Sequence, residues 1–292
     1  MLDVARPGRR DALKWGMGIV AATAVSPSLA ATQRPLDITN PADARIIYRK
    51  LRYRTDDGLL FSWIKGPYMA STGGDLIPLY ALNLGSIRRV TQNSDGSFHL
   101  IDLEISFRVD VQTGERLKSL YNPITGETVT VGGRGPVPTH VTVSADNEAM
   151  IPAAPGQPKY EHERAPVTIF PLGQTELAIR DRSHTRVTAP DGSVSHLNEV
   201  STISAPRDIV LDPRTTHVNS RVQSNDVRSW PAWLKMGDRP GSLALFANGG
   251  TVSRFEDLPD DWHAMLKQYY PQIAADPIAV LDGKIKIDAP TW

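Results

Sequence analysis

Tyr160-Glu161-His162-Glu163-Arg164 is the densest ionisable stretch of the chain. Alternate side chains of a strand point to opposite faces, so Tyr160, His162 and Arg164 share one side and the two glutamates the other. That Tyr/His/Arg face is suited to binding an anion or polarising a carbonyl; the alternative is a solvated strand end. A second grouping surrounds Ala189-Pro190-Asp191-Gly192-Ser193, where Asp-Gly predicts a two-residue hairpin joining 176–189 to 194–204. In that register the numbers of facing residues sum to 383, which puts Asp181, Ser183, Thr185 and Val187 on one face with Val194, His196, Asn198 and Val200. The predicted cluster is His196 with Asn198 and Thr185, the histidine moving a proton near neutral pH; the alternative is a satisfied, partly buried histidine. Asp181 is out of its reach, because His196 lies opposite Val187, roughly 20 Å away along the strand at about 3.3 Å per residue. A different turn length flips one strand and dissolves the cluster.

Other chemistries lack residues to carry them. The chain has no cysteine, which excludes disulfides, thiolate metal sites, iron–sulfur clusters and cysteine nucleophiles. Its seven histidines form neither His-x-His nor His-Glu-x-x-His, and a metal needs three or four converging ligands, so no metal is expected. There is no Gly-x-Ser-x-Gly, phosphate loop or dinucleotide fingerprint, and no cofactor is expected either. Trp63, Tyr68, Trp230 and Trp233 fall in separate segments; if they meet they line a pocket for a flat or apolar molecule, the alternative being plugs in the core.

The elements that must position these residues are strands. From Ile46 to Val131 short runs alternate with turn signals, the pattern of an antiparallel all-β fold. Between His99 and Val109 the period is two, with Ile101, Leu103, Ile105, Phe107 and Val109 on one face and Asp102, Glu104, Ser106 and Arg108 on the other. The apolar face is expected in the core and the polar face, with Asp102 and Glu104, in solvent. Asp95-Gly96 marks a hairpin before this strand, and Asp110-Val111-Gln112-Thr113-Gly114-Glu115 and Asn122-Pro123-Ile124-Thr125-Gly126-Glu127 mark two more, each glycine taking the left-handed position. Gly132-Gly133-Arg134-Gly135 reads as a loop. Near the end, Trp262, Met265, Leu266 and Tyr269 recur at helical spacing after Pro259, Asp260 and Asp261, which predicts an amphipathic helix ended by Pro271.

The stretch from Gly58 to Val131 resembles the bacterial and fungal family called domain of unknown function 1838. The resemblance is carried by Trp63-Ile64-Lys65-Gly66, Pro78-Leu79-Tyr80 and the two Thr-Gly-Glu hairpins flanking Tyr121-Asn122-Pro123. It continues in Trp230-Pro231-Ala232-Trp233-Leu234-Lys235-Met236-Gly237 and in Leu258-Pro259 before the last helix. The resemblance implies an architecture and frequent twin-arginine export, and supplies no catalytic residues. The chain departs from the family pattern at Tyr121, where a tryptophan is common, and at Gly132-Gly133-Arg134, where a Trp-His pair often follows the second hairpin.

Export has its own signal in this sequence. Arg9-Arg10-Asp11-Ala12-Leu13-Lys14, an apolar run from Trp15 to Val25 and Ser28-Leu29-Ala30 follow the grammar of a twin-arginine signal peptide. Residues 1–30 are read as that signal, 31–44 as a flexible mature N-terminus with order starting near Arg45, and 45–292 as one domain. The run is shorter than the about 20 apolar residues that span a bilayer, so no permanent membrane anchor is expected. Without the signal the chain carries 28 basic and 30 acidic residues, which argues against nucleic acid as a partner.

These readings predict an antiparallel β-barrel or strongly curved, calycin-like sheet with a C-terminal amphipathic helix. The protein is expected in the periplasm, with the Tat translocase as its partner during export and a small apolar or aromatic molecule in its cavity. Cofactor-independent lyase, isomerase or hydratase chemistry would use His196 or His162 as proton shuttle and Tyr160 or Arg164 as carbonyl stabiliser. A non-catalytic carrier and an envelope interaction protein are the alternatives.

Overall fold

Most strands between Gly58 and Val252 pair with neighbours in sequence, and the first long strand pairs with the last to curl one large sheet around a lumen. The computed structural model describes residues 34–132, 135–150 and 158–287. The expected signal segment and Gly133-Arg134 lie outside the described residues. Helix α1 (Pro41–Arg52) precedes β1 (Gly58–Thr72), β2 (Asp75–Gln92) and β3 (Phe98–Val109). Then come β4 (Ser119–Asn122), β5 (Glu127–Thr130), β6 (Thr139–Val143), β7 (Ala149–Met150), β8 (Lys159–Arg164) and β9 (Thr168–Leu172). Strands β10 (Glu176–Thr188) and β11 (Val194–Pro206), helix α2 (Arg207–Leu211), and β12 (Arg221–Arg228) and β13 (Ser242–Val252) complete the sheet region. Helices α3 (Asp260–Tyr269), α4 (Pro271–Ala275) and α5 (Pro277–Leu281) follow.

The sheet order is β7-β6-β3-β2-β1-β13-β12-β11-β10-β8, with β9 also on β10 and all pairs antiparallel. The result is a large curled half-barrel, the strongly curved sheet that the strand pattern predicts. Order begins earlier than Arg45: Asn40 caps α1 by accepting from the Ala42 amide at 2.9 Å, and the Leu36 amide bonds the Leu211 carbonyl at 2.9 Å. Among the described residues the edges β7 and β8 are not paired with each other. Side chains join them instead: Arg49 of α1 donates to the Asn147 side chain at 2.6 Å in the β6–β7 turn, and Arg164 of β8 donates to the Asn147 carbonyl at 2.6 Å.

Three apolar clusters bracket this curl. Ile47, Tyr48 and Leu51 of α1 plug one end against Phe98, Leu100, Leu177, Ile179 and Ile203. At the other end Tyr80, Leu82, Leu243 and Leu245 pack with Leu120 and Val129 of the small β4–β5 sheet and with Leu234 and Met236. The third cluster lies outside the curl, where Trp262, Leu266, Ile273 and Val280 of the C-terminal helices cover Ile87, Leu103, Ile105 and Phe107.

That third cluster corrects the expectation for β3. Its apolar face does lie in a core, but on the convex side under α3. Its polar face, with Asp102, Glu104, Ser106 and Arg108, lines the lumen instead of facing bulk solvent.

Candidate functional site

The lumen is a cavity of about 690 Å³ between the two inner clusters. Pairing register fixes what enters it. Arg88 lies opposite Asp102, Ser86 opposite Glu104 and Leu82 opposite Arg108, so the inward faces of β2 and β3 alternate cations, carboxylates and aliphatics. From the far wall come Glu199 and Ser201 of β11 and Ser224, Asp226 and Arg228 of β12, while the last residue of α1, Arg52, enters from the plugged end. Tyr68 and Tyr80 supply two buried rings with centroids 4.9 Å apart.

Most of these charges are satisfied locally. Arg88 Nε is 3.0 Å from Asp102 Oδ2, and Ser86 also donates to Asp102. Arg228 Nε donates to Asp226 Oδ1 at 3.0 Å and its guanidinium lies 5.1 Å over the Tyr68 ring. Ser201 donates to Glu199 at 2.6 Å. Burial raises Asp226 above the usual carboxylate range although Arg228 opposes it, and burial also raises both tyrosines.

Glu104 is the exception among the lumen carboxylates. Among the described residues it makes no hydrogen bond and no ion pair within 4.0 Å. Its carboxyl projects into the lumen, reachable by the water there, with the charged walls of β2, β11 and β12 around it. Burial, reinforced by Asp102 and Glu199 and opposed by Arg88 and Arg228, pushes it up to about 7. A carboxyl poised there gives and takes a proton at neutral pH.

The other sequence-predicted residues fall elsewhere. The loop after β10 has three residues, closed by Ala189 and Ser193 around Gly192 in the left-handed region (φ +83°). The facing numbers therefore sum to 382, as in Thr185↔Leu197 and Arg186↔His196. This one-residue difference turns β11 over. His196 and Asn198 lie on the convex face, where His196 Nδ1 is 3.1 Å from His184 Nε2, and the expected cluster with Thr185 does not form. Thr185 instead meets His162, whose Nδ1 is 2.9 Å from its hydroxyl; burial and the Arg164 charge lower the His162 imidazole. Tyr160 shares that edge, opposite Val187, and is exposed.

Arg164 is engaged in structure. It grips both oxygens of Asp181 at 2.7 Å, and Arg52 at 3.0 Å and the Tyr48 hydroxyl at 3.1 Å complete that carboxylate's shell.

Of the expected aromatic lining, Tyr68 is part of the cavity wall. Trp63 borders it, but register puts its side chain with Phe61 on the convex face, against the outer cluster. Trp233 stands behind Tyr80 with ring centroids 5.5 Å apart, and Trp230 donates to the Arg239 carbonyl at 3.0 Å. Sequence reading missed Tyr80, Arg88, Arg108, Glu199, Asp226 and Arg228. One signal pointed to them: the apolar stripe of the C-terminal helix needs an apolar sheet face to cover, and β3 has only one.

Among the described residues no group of three or more histidines or carboxylates is placed to hold a metal, and no helix is long and apolar enough to cross a membrane. No curated protein and no solved structure matches the chain. A family described as Protein of unknown function (DUF1838) matches residues 60–286, from the third residue of β1 through α5, the strands that build the lumen and the helices that back it. The chain belongs to that family.

Proposed function

We propose that this protein binds a small organic molecule in the lumen and moves a proton on it through Glu104, after export to the periplasm by the twin-arginine route. The observation that supports this most is the state of the Glu104 carboxyl, which points into the lumen without a hydrogen bond or ion pair among the described residues and is pushed up to about 7. Structural carboxylates in the same lumen are tied to arginine or serine, whereas an acid–base group must stay free to meet its substrate. The reaction class is isomerisation, elimination or hydration without a cofactor. The proton carrier is thus Glu104, in place of the histidines that the sequence suggested.

Native mass spectrometry of the protein from its own periplasm, before and after denaturation, tests the binding reading. A released organic molecule supports it; an apo mass together with no heat stabilisation by any small molecule of a broad panel overturns it. The export step is tested by Arg9→Lys with Arg10→Lys, which is expected to leave the precursor in the cytoplasm.

Glu104 also makes stability depend on pH. Its folded value of about 7 lies above the ordinary 4.5, so between these values the folded chain holds a proton that the unfolded chain has lost. Stability therefore falls as pH rises from about 4.5 through about 7 and is level above that. The full shift corresponds to roughly 3 kcal/mol, which water in the lumen reduces to about 1–2 kcal/mol. Glu104→Gln is expected to be more stable than the wild type by that amount at pH 8 and equal to it below pH 4.5, measured by urea unfolding. Equal stability at both ends would mean an ordinary carboxyl.

A further inference from the structure

Resting on the lumen reading above, we infer that the ligand is a small organic carboxylate with a flat apolar body, held by Arg108. Three of the four arginines lining the lumen have a carboxylate of their own: Arg52 with Asp181 at 3.0 Å, Arg88 with Asp102 at 3.0 Å, and Arg228 with Asp226. Among the described residues Arg108 has none within 4.0 Å. Its surroundings are neutral: the guanidinium lies 5.6 Å over the Trp233 ring and beside the Tyr80 phenol, on which its charge acts. Neither offsets a full charge, and a cation partly withdrawn from water is costly until an anion meets it.

The geometry suits an incoming carboxylate. A guanidinium stacked on an aromatic face keeps N–H groups on its edge for a two-point contact, which is how arginine recognises carboxylates. Beside it Tyr68, Tyr80, Leu82 and Leu245 offer the apolar wall for the rest of the molecule. Glu104 lies on the same face of β3, four residues away, or about 13 Å between Cα atoms. The reach of the two side chains leaves room for one or two fused rings between the anchored acid and the atom that exchanges its proton with Glu104. The other arginines cannot substitute for Arg108 without abandoning their partners.

Isothermal titration calorimetry with 1-naphthoate and the nearly isosteric neutral 1-naphthamide separates the possibilities. The wild type is expected to bind naphthoate at least tenfold more tightly than naphthamide. Arg108→Gln should erase that preference by weakening naphthoate alone, and Arg108→Lys should restore part of it. Equal binding of the two compounds by the wild type, a comparison that needs no variant to fold, overturns the carboxylate inference and leaves the lumen reading standing. An undiminished preference in Arg108→Gln overturns Arg108 as the anchor. Binding of neither compound at millimolar concentration counts against both this inference and the lumen reading.

Discussion

Asp181→Ala is expected to lower the free energy of unfolding by about 3–5 kcal/mol at pH 7, the cost of removing one partner from a buried ion pair. Asp181 is 6% exposed and receives both arms of Arg164, the Arg52 guanidinium and the Tyr48 hydroxyl. Alanine leaves two guanidinium groups and a phenol facing each other without an anion, in a place where water enters poorly. The same cluster joins β8 to α1, so the damage reaches the plugged end of the lumen. Burial works against the Asp181 charge, but Arg52 and Arg164 outweigh it and hold the carboxyl below its ordinary 3.8. Its stabilisation is thus complete above about 3.8 and is lost as pH falls through the lower folded value. Urea unfolding of both proteins should give a large gap at pH 7 that narrows in strong acid; a gap under 1 kcal/mol at pH 7 would show that the cluster contributes little.

Gly85→Val is expected to cost about as much as Trp262→Ala, in the 3–5 kcal/mol range for losing a buried large aromatic. A Cβ on Gly85 would stand 2.4 Å from Trp262 Cε2, a contact no side chain tolerates. The indole has nowhere to retreat: it is 0% exposed, donates to the Ile105 carbonyl at 3.1 Å and has Phe255 edge-on at 6.1 Å. Valine must therefore lift the N-terminal turn of α3 off the convex face. Since both changes remove the same contact, the double variant should be little less stable than either single one. Additive losses would show that Gly85 and Trp262 act independently.

Which face of a strand is inside decides how much of this fold its sequence makes legible. The period of two in β3 was legible residue by residue, as were the left-handed glycines Gly114 and Gly126 (φ +73° each) and the stripe of Trp262 and Leu266. The reading that apolar means inward failed because the helices bury the convex face, which frees the concave face to be polar. The β10–β11 error has a narrower cause. Asp-Gly fits a two-residue turn with two positive φ values, but only Gly192 is left-handed here, and Asp191 accepts from the Ser193 amide at 2.9 Å as part of the three-residue loop. One residue of loop length decides whether His196 or Leu197 faces the lumen, and local sequence leaves that choice open. The lumen charges were hidden for another reason: Glu104, Glu199 and Asp226 are far apart in the chain, and each alone looks like a solvated strand residue.

The unpaired edges β7 and β8 make the half-barrel a cylinder with a seam. Along the rest of its circumference, opening the wall would break a ladder of backbone hydrogen bonds. Along the seam, among the described residues, side-chain bonds stand in for such a ladder, with Arg49 and Arg164 both holding the Asn147 turn. Wall and fastening thus differ in kind: backbone ladders hold the circumference, and side chains hold the one line where it would otherwise part.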